Sequence, residues 1–140
     1  MIESFCIFTE TRLNAAMTKP LALIFYEKLL PGSQLVNRLQ DLGYRVQTVT
    51  DAALLQPQAE REKPMVVIAD LVTRRFDILS EVSRLRSNPA TEHVPVLGFT
   101  HDKKERAQQD AQAAGVSLVA SDAGILEQLP HLLDQVLQVD

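Results

Sequence analysis

Tryptophan is missing from this chain, cysteine occurs once and glycine only five times among 140 residues. Cys6 on its own can close no internal disulfide, which fits a reducing cytoplasm, and we expect a cytoplasmic protein. One cysteine and three scattered histidines, His93, His101 and His131, do not have zinc-ligand spacing. No Gly-x-Ser-x-Gly occurs, so the nucleophile elbow of the α/β hydrolases is excluded. No apolar run is long enough to span a membrane, and no basic region leads into an apolar stretch at the start, as a signal peptide requires. Fourteen Lys and Arg against 18 Asp and Glu give a net charge of -4, with the basic residues dispersed. That removes the electrostatic footprint of a nucleic-acid binder.

Apolar residues make up 46% and charged residues 23% of the chain, the balance of a globular domain with a core of its own. From Leu21 the sequence alternates strand and helix patterns. Leu21–Tyr26 reads as a first strand, and apolar residues at helical spacing predict a helix over Ser33–Leu42, with Ser33 as its cap and Gly43 as its left-handed stop. Tyr44–Thr48 alternates like an edge strand. A weaker helix over Asp51–Glu62 should kink or split at Pro57. Next come a strand over Met65–Ala69, a helix over Asp77–Arg86, a strand over Val94–Thr100 that tolerates Pro95 near its start, and a helix over Asp102–Ala114 stopped by Gly115. Val116–Ala120 is a fifth strand, and a last helical stretch to Gln138 restarts at Pro130. Five such alternations predict a doubly wound α/β fold, a parallel sheet in the order 2-1-3-4-5 with helices on both faces.

Residues 1–19 lack this rhythm: Phe5-Cys6-Ile7-Phe8 is a short apolar patch followed by a polar stretch. We expect a poorly ordered N-terminal extension followed by one domain over 20–140, with Met17 as a natural start for the chain; the alternative is that these residues form an extra strand or helix packed on the domain.

Pro64-Met-Val-Val-Ile-Ala-Asp70 is a continuous apolar run ending in one carboxylate, as expected of a buried strand that delivers an acid to the carboxyl edge of a sheet. In the expected strand order the crevice lies between the first and third strands, so Asp70 should face the residues after Tyr26, of which Glu27 is the acid. Two carboxylates meeting there form a candidate Mg²⁺ site, Glu27 and Asp70, since Mg²⁺ takes oxygen ligands and bridges to phosphate. A bound metal would ease the approach of a phosphoryl group to a carboxylate nucleophile. Thr100, ending the fourth strand beside Asp70, could hydrogen-bond a phosphate oxygen there or cap the next helix.

Over Leu21–Leu137 these pieces resemble the receiver domains of two-component response regulators. Lys63-Pro-Met-Val-Val-Ile-Ala-Asp70 is similar to the family's third strand with its phosphoacceptor aspartate. Asn88-Pro-Ala-Thr-Glu-His-Val-Pro-Val-Leu-Gly-Phe-Thr100 is similar to its loop, fourth strand and switch threonine, and Gln112-Ala-Ala-Gly115 matches the approach to its fifth strand. The resemblance implies Asp70 as phosphoacceptor, Thr100 as switch, a sensor kinase or downstream signalling protein as partner, and no turnover of a substrate. It also implies that partners use the fourth and fifth helices with the strand between them; apolar residues of the last helix could add a homodimer patch.

The departures are specific. Tyr26-Glu27 stands where the family has two adjacent acids, and Ser121-Asp122 stands where it has the lysine that neutralises the phosphoryl group. Leu71-Val-Thr-Arg-Arg-Phe76 replaces its proline-glycine loop. Phosphoryl transfer is mostly positioning and charge stabilisation, so these losses remove much of what drives it. The pattern resembles the pseudo-receivers, which keep the fold and signal through surfaces. Lys103 and Lys104 could return positive charge to the site, and Arg74 and Arg75 could bind an anion, but each pair is equally an ordinary solvated face. The alternatives are an authentic receiver phosphorylated on Asp70 with Mg²⁺, and a flavodoxin-like small-molecule binder. Against the latter, Glu27-Lys-Leu-Leu-Pro-Gly32 holds one glycine, and the chain has no tryptophan to stack on a ring.

Overall fold

The computed structural model describes residues 20–26, 29–72, 77–101 and 105–138. The expectations for the N-terminal extension, Glu27, Arg74, Arg75, Lys103 and Lys104 lie outside the described residues. Five strands, β1 (Leu21–Phe25), β2 (Arg45–Val49), β3 (Val66–Asp70), β4 (Val96–Thr100) and β5 (Leu118–Ser121), pair in parallel in the order β2-β1-β3-β4-β5. This is the expected doubly wound sheet.

All residues of β1, β3 and β4 are buried, which is why those strands are continuous apolar runs. Their side chains alternate between two cores. Leu23, Phe25, Val67, Ala69 and Val96 face one layer, while Ala22, Ile24, Ile68, Leu97 and Phe99 face the other. The edge strands differ: β2 buries only Val49, and β5 is half-buried throughout except for exposed Ser121.

The helices sort between the two cores as right-handed crossovers require. From β1 the chain steps outward to β2 through α1 (Leu29–Asp41), which contributes Leu35 and Leu39 to the second core. It then crosses back over β1, and α2 (Leu55–Glu62), α3 (Ile78–Ser87) and α4 (Glu105–Ala114) all pack on the first core. The last two helices, α5 (Asp122–Glu127) and α6 (Leu129–Gln138), return to the second core through Ile125, Leu129, Leu132, Leu133 and Val136.

Local chemistry sets the boundaries. Helix α1 begins four residues before the expected Ser33 cap, because Pro31 and Gly32 fall in its first turn, where the amide that proline lacks has no helical partner anyway. Its stop is as expected: Gly43 is left-handed, with φ 92°, and Gly115 closes α4 likewise at φ 112°. The split of the Asp51–Glu62 segment also occurs, but before the proline. A 3₁₀ turn over Ala52–Leu54, capped by Asp51 Oδ1 on the Ala53 amide at 3.0 Å, gives way to α2, whose first turn holds Pro57. Pro95 stands just ahead of β4 rather than in it, and its carbonyl accepts the Val67 amide at 3.0 Å. Asp77 is the N-cap of α3. It accepts from the Ser80 hydroxyl at 2.7 Å and the Ser80 amide at 3.3 Å, bonds that hold its carboxyl below the usual range.

Candidate functional site

The sheet's carboxyl edge gathers the ends of β1, β3 and β4. Asp70 is the last residue of β3, 5% exposed, with Phe99 as its partner across the ladder. It is buried rather than solvated. Its Oδ1 accepts the Val72 amide at 3.0 Å, so the carboxylate shapes the turn that follows its own strand. Within that turn the Leu71 amide donates to the Phe99 carbonyl at 2.9 Å, carrying the β3–β4 pairing one residue further.

Thr100 ends β4 one step beyond Phe99, so the two singled-out residues stand on neighbouring strands, as expected. Thr100 is 6% exposed and pairs across the ladder with Ser121. It also lines a pocket of about 160 Å³ with Leu71, Val72, Leu79, Ala107, Asp110 and Ala111. The alternative of Thr100 as a helix cap depends on residues 102–104, outside the described residues.

That pocket, between α3 and α4 beside the sheet edge, is a feature the sequence reading missed. Ala107 and Ala111 are one turn apart on α4 and face inward with small side chains, which leaves the space. Gly98 deepens the contact on the strand side: a Cβ there would stand 2.6 Å from Leu71 Cδ1, so Leu71 lies where any larger residue of β4 would collide with it. Among the described lining residues the carboxylate is Asp110, not Asp70. The alanine-rich inner face of α4 was the available signal for this pocket.

At the end of β5, strand passes into helix without a loop. Ser121 Oγ accepts the Gly124 amide at 2.9 Å and caps α5, whose first turn carries Asp122. A carboxylate there complements the helix dipole. The site where the resemblance implies a lysine is occupied by a helix start.

The described residues alone do not compose a Mg²⁺ site. Asp70 is the carboxylate that the described residues place at the β1–β3–β4 edge, and one of its oxygens is engaged by a backbone amide. Among the described residues no three His, Cys, Asp or Glu converge as metal ligands. Glu27, the second acid the sequence offers, lies outside them. Tyr26 precedes it, with its ring packed against Gly32 at the start of α1.

No protein-family model and no curated protein matches the chain. Solved structures do. The chemotaxis protein CheY4 of Vibrio cholerae is 22% identical and superposes with a TM-score of 0.78 over 86% of this chain and 100% of its own. This is the receiver fold. A two-component response regulator of the LuxR family from Aurantimonas sp. SI85-9A1, 15% identical, gives a TM-score of 0.75 over 86% of both chains. The N-terminal domain of a response regulator receiver protein from Methanoculleus marisnigri JR1, 19% identical, gives 0.65 over 84% of this chain and 96% of that one. At these identities the likeness establishes the receiver fold and leaves the chemistry to this chain's residues. Among the described residues no helix is long and apolar enough to cross a membrane.

Proposed function

We propose that this chain is a receiver-like signalling domain that acts by binding another protein, a pseudo-receiver in which phosphorylation of Asp70 is impaired. The observation that carries this reading is the end of β5. There Ser121 is committed to capping α5, and Asp122 places a negative charge in the helix start, where a phosphorylated receiver needs a positive one. The turn after Asp70 supports it too, since one carboxylate oxygen is held by the Val72 amide.

The test is the intact mass of the full chain after incubation with acetyl phosphate, with and without Mg²⁺. No Mg²⁺-dependent adduct is expected. An adduct that disappears in Asp70→Asn would overturn the reading in favour of an authentic receiver with Asp70 as phosphoacceptor, Thr100 as switch, and Mg²⁺ held by Asp70 and Glu27.

The domain proper runs from 20 to 140 in this proposal, with residues 1–19 as an extension. Pro20 belongs to the domain because its carbonyl accepts the Arg45 amide at 2.8 Å, joining β1 to β2. The partner, a sensor kinase or a downstream protein, meets the face built from α4, β5 and the last helical stretch, α5 with α6. The half-buried Leu118, Val119 and Ala120 of the edge strand lie there.

A further inference from the structure

The pocket between α3 and α4 has a volume of about 160 Å³. A dry apolar cavity of about 150 Å³ takes up one benzene molecule, so the space suits a body of one six-membered ring. Most of its wall is aliphatic: Leu71 and Val72 from the turn after β3, Leu79 from α3, and Ala107 and Ala111 from α4. Leu71, Val72, Leu79 and Ala107 are each half-buried, so each keeps apolar surface that an occupant would cover. Asp110, three residues beyond Ala107 and so on the same side of α4, brings an exposed carboxylate to the lining. Among the described residues no ion pair or side-chain hydrogen bond engages that carboxylate, not even with Arg106 one turn earlier. No Lys or Arg stands among the described lining residues.

We propose that this pocket binds a small organic cation, a primary ammonium group on a compact apolar body the size of one ring. The body lies against Leu71, Leu79, Ala107 and Ala111, where its burial supplies most of the affinity, and the ammonium stays beside Asp110. An ionised carboxylate only accepts hydrogen bonds, so its complement must donate them. An ammonium offers three donors and the opposite charge, whereas an anion would meet like charge there. The site goes beyond receiver-like signalling and does not rest on it. Val72, in its wall, is the residue whose amide holds Asp70 Oδ1 at 3.0 Å, so an occupant touches the turn that Asp70 shapes.

The test titrates the isotope-labelled full chain with cyclohexylmethylamine at neutral pH and constant ionic strength. NMR reads the methyl groups of Leu71, Leu79, Ala107 and Ala111 together with the Val72 amide. Cyclohexylmethanol and cyclohexanecarboxylate, of nearly the same shape, are the neutral and anionic controls. For a probe of about eight non-hydrogen atoms, half-saturation in about the millimolar range is expected. The amine should bind about two- to fivefold more tightly than the alcohol, the range of an exposed charge pair, and the carboxylate most weakly. Asp110→Asn should erase the preference for the amine and leave the alcohol's affinity unchanged, which also shows that the variant keeps its fold. No saturable shift at these groups overturns the proposal. So does an alcohol that binds as well as the amine, which makes the pocket an apolar site only, or a preference for the amine that survives Asp110→Asn.

Discussion

The Asp70 carboxylate accepts the amide proton of Val72 at 3.0 Å, so the residue with the clearest chemical promise also holds the turn beyond its strand. Asparagine keeps an acceptor oxygen at that place and alanine does not. Asp70→Ala should therefore unfold at lower urea than Asp70→Asn, by about 1 kcal/mol, the usual net worth of such a bond. Asp70→Asn is consequently the better control for phosphorylation, because it removes the nucleophile and keeps the turn.

Gly98→Ala places a methyl group 2.6 Å from Leu71 Cδ1 and 2.9 Å from Leu71 Cγ. Overpacking of this kind costs about 1–3 kcal/mol. If Leu71 is the obstacle, Leu71→Ala should relieve most of the penalty, with a coupling of about 1 kcal/mol in a double-mutant cycle read from urea midpoints. Additive losses would place the strain elsewhere in β4.

Ser121→Ala removes the acceptor for the Gly124 amide and should cost about 1 kcal/mol, whereas Ser121→Asp should keep the cap. Thermal melts of both variants check this. Near-equal losses would mean that the strand-to-helix junction does not depend on the cap.

Burial, and then the charge of Asp134, push the Tyr44 phenol above its ordinary value of 10.0. The folded chain therefore keeps this proton at pH values where the unfolded chain has lost it. Stability should be undiminished below about pH 10 and fall as pH rises from there through the folded-state value. Tyr44→Phe should flatten that alkaline decline relative to the parent chain in melts between pH 8 and 11, and identical curves would refute it.

A chain beginning at Thr18 should unfold cooperatively, with a urea dependence close to that of the full chain, since among the described residues Pro20 is the first whose backbone bonds the sheet. A markedly smaller slope would show that residues 1–17 belong to the cooperative unit.

How much was legible depended on burial. The runs Leu21–Phe25 and Val66–Asp70 are apolar along their whole length because both faces of those strands are covered, so their place in mid-sheet could be read directly. The start of α1 could not, because Ser33 looks like a cap, while the Pro31-Gly32 pair can equally begin a helix or precede one. Asp70 and Thr100 were readable as strand ends. Ser121-Asp122 was readable only as a missing base, since its role as a helix start depends on β5 running into α5 with no loop. Asp110 was hidden for a different reason: the pocket it borders exists only once α3 and α4 pack, and α4 alone shows an ordinary amphipathic helix.

The order β2-β1-β3-β4-β5 also bears on how the chain folds. β1 pairs with β2 across a single helix, and β3 pairs with β4, and β4 with β5, in the same way. The β1–β3 pairing alone must close over an intervening strand and two helices, with Ala22 opposite Val66. That closure carries the largest loop entropy in the sheet, so the two halves can gather locally before the seam between them zips. The crevice where a ligand would sit is that same seam. Anything that binds across it would act as a staple between two separately assembled halves, and would slow unfolding more than its own contacts suggest.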